Sequence, residues 1–581
     1  MGTISGHRLR LRGRDGSQEF GIIPQQHLHG TGSRLASTHA SSGSIWLVLL
    51  LLLSACSSGP ATQAPERASE DTTGPVRAEV LRISLPQDFG PINLFGQHEE
   101  PLTELIYDKL LAPSPYVEDP QPWLAREVTQ IDNTTWEVSV RDDVSWHDGE
   151  AFTAEDVVFT FDYFRTAPTG RWTHHVSDVP DVTAAVTEAG TVRLVCAFPC
   201  PELGSVTLAD LPILPQHVWQ DVTEPREATF LPVGTGPYEL TSYDSATGYT
   251  FIANAGYFAG RPMVEELSMP IIPDPSTAFA ALRTGELDAV ARPLPPELLE
   301  DFGQEPSIKI VTTAPLEYPE LRLNYEREPF DDPLVRRAVS LAIDKETLLE
   351  VALLGQGRPA TQGYPHPDSP WTNPDLSTPY DPSAAAALLD EAGLLDTDAD
   401  GHRELASAER LELEIKVTSS RPTDMRAAEL VTEQLREIGI SARPVQLDEG
   451  TIEGLFRSRD YDAYITTIGA HGVADPDQFV QSLRSGYLWR SPEVPHAEYG
   501  TLIESWMAAE DLEQRRDLSF EMQAVFNDQP TAVPLYYPDV HWAYRPEAFD
   551  GFVEARGYGI VHKWSFLPRE VAADAHALVE S

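Results

Sequence analysis

The sequence predicts an α/β fold spread over more than one domain, and three observations carry that reading. Residues 411–447 run strand, helix, glycine, strand, the pattern of a βαβ unit with a parallel strand pair and a right-handed crossover. Residues 136–164 pass from a strictly alternating strand into a capped helix, which adds antiparallel structure to the parallel unit. The chain has 581 residues, 41% of them hydrophobic, enough length and apolar mass for several cores.

The elements follow in chain order. Trp136, Val138 and Val140 fall on one side of a half-buried strand, with Glu137, Ser139 and Arg141 on the other. After the polar turn Trp146-His147-Asp148-Gly149, Thr153 stands where it can cap a helix. Glu155 and Asp156 sit in that helix's first turn, where its dipole favours acids. Val157, Val158, Phe161 and Phe164 then recur at helical spacing. Asp332-Pro333 sets a cap before a proline at the first helical position, with Val335, Ala338, Val339 and Ala342 on one face. Asp381-Pro382 repeats the device, and Gly393 closes that helix after Leu388 and Leu389. Within 411–447 the first strand is LELEIKV, the helix is Met425–Ile438, and ISARPVQL follows Gly439 as the second strand. The sequence has no fixed-period repeat and no second apolar run long enough to cross a bilayer.

Asp and Glu total 90 against 42 Lys and Arg, a formal net charge of −48. A surface so acidic repels phosphate backbones and anionic headgroups, which argues against nucleic acid as a partner. It reads as a solvated coat rather than as the mark of a cationic substrate.

Ile45 to Cys56 reads IWLVLLLLLSAC. The apolar run Ile45–Leu53 matches the hydrophobic region of an export signal and is too short for the roughly 30 Å of a bilayer core. Arg8, Arg10, Arg12, Arg14 and Arg34 supply the positive region ahead of it. Leu53-Ser-Ala-Cys56 resembles the lipobox of bacterial lipoproteins. That resemblance implies a signal peptide over 1–55, a diacylglyceryl group on Cys56, and anchoring at the outer face of the cell membrane. Residues 56–76, rich in Ser, Thr, Pro and Ala, read as a flexible tether. Cys196 and Cys200 are the remaining cysteines. In an extended strand such a pair stands about 13 Å apart, too far to bridge. A turn at Pro199 and Pro201 brings the thiols within reach, and an exported chain then holds a disulfide there.

Catalytic signatures are missing. The sequence contains no H-E-x-x-H and no G-x-S-x-G, and no G-K-[ST] follows a glycine loop. Gly234-Thr-Gly236 and Gly355-Gln-Gly357 each lack the third glycine of a dinucleotide loop. No catalytic residue and no cofactor is assigned, and the chain is read as a non-enzyme. Asp396, Asp398 and Asp400 before Gly401 have the spacing of a calcium loop, but Ser407 stands where the bidentate Glu belongs. A solvated acidic loop is preferred to calcium, so no metal is assigned.

Taken together, segments between about residues 80 and 560 resemble the family 5 extracellular solute-binding proteins of ABC transporters, the oligopeptide, dipeptide and nickel receptors. The strongest piece is Arg141–Phe161, RDDVSWHDGEAFTAEDVVFTF. Others are Gly234-Thr-Gly-Pro-Tyr-Glu-Leu240, Asn254-Ala-Gly-Tyr-Phe-Ala-Gly-Arg-Pro262, Phe330-Asp-Asp-Pro-Leu-Val-Arg-Arg-Ala338 and Pro534-Leu-Tyr-Tyr-Pro538. The resemblance implies a two-lobed periplasmic-binding-protein-like fold of type II, in the large cluster with an extra inserted domain and a ligand cleft between lobes. Mapped here, lobe 1 takes 77–115, 229–322 and 536–581, the inserted domain 116–228, and lobe 2 323–535. The crossings fall near Leu321–Asn324 and Pro534–Pro538. His147, Gly234 and Gly236 are expected to be scaffold.

The implied function is a monomeric receptor that closes over a small polar ligand and delivers it to an ABC permease and its ATPase. An oligopeptide leads as ligand, with an oligosaccharide or a metal complex as alternatives and a surface hydrolase as a distant one. Peptide receptors of the family hold the α-amino group with an Asp ahead of an acidic-Pro pair. Aligning Asp475-Pro476 with that pair places Gly472 at the amine position, beside His471 and near Gly469. Tyr487 and Trp489 are candidate cleft aromatics, and Phe95 and Gln97 fall where the family's ligand-flanking segment of lobe 1 begins.

Overall fold

The computed structural model describes residues 78–96, 100–168, 172–177, 181–361, 363, 365–419, 421–468, 497–555 and 559–569. Cys56, the signal and the tether lie outside the described residues, as do Gln97, Gly469, His471, Gly472, Tyr487 and Trp489. No helix among the described residues is long and apolar enough to cross a membrane.

Two main sheets divide the body. Strands β1 (Ala78–Ser84), β2 (Tyr238–Asp244), β3 (Gly248–Ala253), β4 (Val264–Met269), β5 (Ala289–Val290) and β6 (Lys309–Thr313) belong to the first. Strands β7 (Tyr318–Leu323), β8 (Glu412–Thr418), β9 (Ser441–Leu447), β10 (Ala463–Ile468) and β11 (Ala532–Pro534) make the second, and β12 (Val540–Tyr544) returns to the first. The first sheet runs β6-β12-β5-β1-β4-β3-β2, and the second β9-β8-β10-β7-β11. In the first, β1 lies parallel to β4 and β5, with the other pairs antiparallel. In the second, β8 lies parallel to β9 and β10, while β7 is antiparallel to its neighbours.

The inserted domain is a four-stranded antiparallel sheet of residues 125–130, 135–140, 192–196 and 182–186, in that spatial order. Helix α1 (Ala154–Thr166) covers it. Asp156 accepts a hydrogen bond from the Thr153 backbone N–H at 2.9 Å, so the acid of the first turn secures the helix start. Val138, Val157 and Phe161 are fully buried between sheet and helix. In lobe 2, Asp332 caps α2 (Pro333–Ala342) by accepting from Leu334 N–H, and Asp381 caps α3 (Pro382–Glu391) by accepting from Ala384 N–H, both at 2.8 Å. Helix α4 (Pro422–Glu437) connects β8 to β9, whose seven-residue parallel register completes the βαβ unit.

The strand partners move the expected crossings. The chain leaves the first sheet after Thr313 and enters the second at Tyr318, so the first passage is 314–317. Leu321–Leu323 lie inside β7, paired to β10. Tyr536–Pro538 pair with Gly357–Pro359 of lobe 2, and the return to lobe 1 is made at Asp539, just before β12. Lobe 1 therefore ends near 313 rather than 322 and resumes near 540 rather than 536. The reason is physical: an apolar run looks the same to the eye whether it crosses a hinge or fills a sheet, and only its hydrogen-bond partners tell them apart.

Packing explains which parts move as one. Lobe 1 and the inserted domain share a continuous apolar core that includes Leu81, Val138, Phe161, Leu194, Phe251 and Tyr544. Lobe 2 has a separate core around Leu321, Val339, Leu389, Ile415, Val431 and Ile465. Among the described residues the chain passes between the two at 314–317 and at Asp539, an arrangement that lets two bodies rotate without repacking either interior.

A buried polar node ties the first body together. The carboxylate of Asp108, which is 0% exposed, accepts from Trp123 Nε1 at 2.8 Å, Tyr257 OH at 3.0 Å, Thr235 Oγ1 at 3.1 Å and Lys563 Nζ at 2.9 Å. These donors come from four distant stretches of chain, the last near the C-terminus. Lys109 bonds Glu104 at 2.6 Å and lies 3.5 Å from Asp210, which in turn meets His175 Nε2 at 2.8 Å.

Candidate functional site

Strand direction locates the site before any side chain is considered. β5 and β6 are both antiparallel to β12 and so run the same way, into the first hinge passage. β1 and β4 are parallel to β5, so the carboxyl ends of β1, β4 and β5 all point at the hinge. In lobe 2, β7 leaves the hinge and β10 runs back to it, with β8 parallel to β10. The carboxyl ends of β8 and β10 thus face the same junction. Ligands of open α/β sheets bind outside the carboxyl ends of parallel strands, and here two such edges converge on one hinge.

Loops of both lobes follow those strand ends. In lobe 1, β1 is followed by 85–96, β4 by Ile271–Asp274 and β5 by Ala291 and Arg292. Backbone bonds lash them together: Ala291 N–H to Ser84 O at 2.9 Å and Ile272 N–H to Leu85 O at 2.9 Å. Arg292 donates to Pro86 O at 3.1 Å; burial pulls its guanidinium below the ordinary value, against the opposing charge of Asp274, which caps the next helix. In lobe 2, Arg421 follows β8 and donates to Thr467 Oγ1 at 2.6 Å, joining that loop to the end of β10. β10 ends at Ile468, directly ahead of the segment that holds Gly469, His471 and Gly472. Across the junction, Arg426 of α4 meets Glu297 of lobe 1 at 2.5 Å.

Phe95 does not stand at the cleft wall. It is 5% exposed, and its ring packs on Tyr163, Phe164 and Trp219 of the inserted domain, with centroids 5.5, 4.9 and 5.2 Å away. Neighbouring Asn93 donates from Nδ2 to Pro225 O at 2.8 Å and Ala228 O at 3.0 Å. The 85–96 loop is therefore nailed to the inserted domain at its far end. A large apolar ring beside a site gains more from burial than from facing a polar guest.

His147 and the Gly234-Gly236 turn prove to be one unit. Gly234 N–H donates to His147 Nδ1 at 3.2 Å, and His147 Nε2 lies 3.0 Å from Gly236 O. With Nδ1 accepting, the proton sits on Nε2, which donates to the carbonyl. Burial pushes the imidazole below its ordinary value, so it stays neutral in this role. A Cβ on Gly234 would meet Ile106 O at 1.8 Å, so the glycine serves a close backbone approach rather than a phosphate.

Cys196 and Cys200 are disulfide-bonded, with Cα atoms 6.4 Å apart. The acidic loop gathers Asp396, Asp398 and Asp400 with Glu404, one oxygen of each lying within 4.8 Å of the others. Glu404 is the ninth residue of the loop, not the twelfth at which a calcium loop carries its bidentate Glu, so the spacing alone does not nominate it. Arg292 and Arg421 were also missed. Their signal was present: each is a cation just after a strand in a chain where acids outnumber bases twofold.

Similar proteins carry the same architecture. Residues 119–489 match the model of the bacterial extracellular solute-binding proteins, family 5 Middle. The oligopeptide-binding protein AppA of Bacillus subtilis is 25% identical over 536 residues, covering 88% of this chain and 95% of that protein. The nickel-binding periplasmic protein of Escherichia coli is 26% identical over 516 residues, covering 80% and 90%. Among solved structures, that of the Bacillus subtilis oligopeptide-binding AppA with a nonapeptide superposes with a TM-score of 0.72 at 21% identity, over 84% of this chain and 99% of the other. The NikZ structure from Campylobacter jejuni with Ni(L-His) gives 0.72 at 22%, over 85% and 100%.

Proposed function

The chain belongs to the family 5 bacterial extracellular solute-binding proteins, and from that premise we propose that it is a receptor that closes its two lobes over an oligopeptide and hands it to an ABC importer. The observation that carries this reading is the convergence of two sets of strand carboxyl ends on a double-passage hinge. Such a junction is open to solvent when the lobes part and enclosed when they meet, and a ligand touching both sides stabilises the closed form. The task is binding and release, with the permease and ATPase as partners. The named peptide binding of relatives supports the ligand class.

A metal complex is the second reading, favoured by one specific feature. With Asp475-Pro476 aligned to the family's acidic-Pro pair, Gly472 falls at the position of the Asp that holds the α-amino group, and His471 is beside it in sequence. An ammonium left unpaired in an enclosed cleft is costly. Native mass spectrometry of the freshly purified protein separates the readings: a retained peptide mass that rebinds after removal supports the first, and a retained metal chelate replaces it with the second. Gly472→Asp is expected to tighten binding of free-amine peptides by about tenfold to a hundredfold, the worth of one charge-assisted bond. Unchanged titration calorimetry with an intact fold would count against the alignment.

The proposal includes the address. Cys56 carries the lipid, and the tether lets the receptor reach the permease. Cys56→Ser is expected to move the protein from the membrane pellet to the soluble fraction, and retention in the pellet would refute the anchor.

A further inference from the structure

We infer that Arg515 and the disulfide-stapled turn of the inserted domain form a latch that sets how far the empty receptor rests toward closure. The inference depends on the hinge motion proposed above and not on the identity of the ligand.

Arg515 lies in the first turn of α6 (Leu512–Asp528), the helix that follows α5 (Ala497–Ala508) in lobe 2. Its guanidinium leaves its own lobe. Nη1 donates to Glu202 Oε1 at 2.5 Å and Nη2 donates to the Pro199 carbonyl, both in the inserted domain and 313 and 316 residues away in sequence. The side chains of Arg515 and Glu202 are 0% and 2% exposed. The guanidinium also stacks on Trp506 of α5, 3.8 Å from its ring centroid, so lobe 2 holds the cation in place from behind.

The acceptors are equally well placed. Pro199 lies inside the loop closed by Cys196 and Cys200, and Glu202 follows it by two residues. Cys200 N–H donates to Asn133 O at 2.9 Å, while the Cys200 carbonyl accepts from Trp136 Nε1 at 3.2 Å and from Leu203 N–H at 3.1 Å. The staple thus pins the turn to the sheet of the inserted domain and presents the carbonyl and carboxylate in one direction. The inserted domain shares its core with lobe 1, so the contact spans the two bodies.

Dehydrating a guanidinium and a carboxylate is costly, and the pair holds only while both partners are present. When the bodies separate, each charge regains water. On the proposed hinge motion the contact is made in one state and broken in the other, which is the requirement for a bias on a two-state equilibrium. Loss of the Arg515 cation leaves the Glu202 carboxylate buried without it and drives the equilibrium open. Replacement of both by apolar side chains removes that penalty. Loss of the staple lets the turn wander, and the latch must then reorder it at each closure.

The test is single-molecule energy transfer in the full chain. Dyes on unnatural residues replace exposed Val186 of the inserted domain and Leu395 of lobe 2, and circular dichroism confirms each fold. Arg515→Met, Glu202→Gln and the pair Cys196→Ser/Cys200→Ser are each expected to raise the open-to-closed ratio about tenfold or more. Arg515→Met/Glu202→Leu is expected to return toward wild type, and Arg515→Met is expected to add little in the serine background, because both changes break one device. A mixed tripeptide library is then added to every variant. If the library shifts the wild-type distribution but all folded variants match wild type without ligand, the latch is overturned and the receptor reading stands. If the variants shift the distribution and the library does not, the latch stands and the peptide reading fails. A single narrow distribution moved by neither overturns both.

Discussion

Urea unfolding of an Asp108→Ala variant is expected to show the transition of lobe 1 and the inserted domain destabilised by about 3–5 kcal/mol. The carboxylate serves four donors at once, from Trp123, Thr235, Tyr257 and Lys563. Removing it strands the Thr235 and Tyr257 hydroxyls, leaves Trp123 Nε1 only the Tyr257 oxygen at 3.1 Å, and, more seriously, takes the closest counter-charge from the Lys563 ammonium, whose side chain is 1% exposed. The nearest remaining acid is Glu104, at 3.6 Å from Lys563 and already bonded to Lys109. A buried cation left to one carboxylate that it must share is among the few single-residue lesions that reach this size. Asp108→Asn keeps the shape but not the charge, so it too should destabilise, by less. Because the two bodies have separate cores, the relevant transition should be followed by a probe within the first body rather than by total helix signal. A loss below about 1 kcal/mol would mean that the network is hydrated and the burial misjudged.

Gly234→Ala is the second large effect, at about 3 kcal/mol or more, combining overpacking with lost hydrogen bonds. The new methyl would stand 1.8 Å from Ile106 O and 2.6 Å from Ile106 C, both main-chain atoms that cannot rotate away. The turn must move, and its movement breaks the three hydrogen bonds with His147, one of them His147 N–H to Gly234 O at 2.9 Å, and the Gly236 N–H to Ile106 O bond of 2.8 Å. His147→Ala removes only the imidazole part of this arrangement and should cost less. The double variant should fall short of the sum, since both act on one turn. A melting temperature within about one degree of wild type for Gly234→Ala would overturn the close-approach account.

Much of the fold was legible because local rules and tertiary context agreed. The βαβ unit at 411–447 announced itself through a strand-to-helix change of period and a glycine at the helix end, and Gly439 indeed has φ of +87°. The caps at Asp332 and Asp381 were readable because an acid before a proline satisfies helix starts wherever they occur. Where the reading failed, the missing quantity was a long-range partner. Leu321–Leu323 looked like a crossing and is the middle of β7, since its hydrogen bonds go to β10, about 140 residues later. Phe95 looked like a cleft residue and is packed beneath the inserted domain, because Tyr163, Phe164 and Trp219 reach it from far along the chain.

The site divides in the same way. Residue types at Gly472, His471, Tyr487 and Trp489 nominate a ligand loop, but these positions lie outside the described residues. Arg292 and Arg421 went unnoticed because nothing in a one-dimensional string says that two strand ends will face each other across a hinge.

By itself the sequence determined the classes of local structure, the acidic composition, the absence of familiar catalytic motifs and the short apolar run ahead of Cys56, all of which depend on residue types within a few positions of one another. Only the tertiary structure decided where the hinge passes and that His147 serves the Gly234-Gly236 turn. It alone brought Asp108 to Lys563 and Arg515 to Glu202, because each of these turns on which distant groups lose their water together. Burial is a property of the folded neighbourhood, and no single residue carries it in its name.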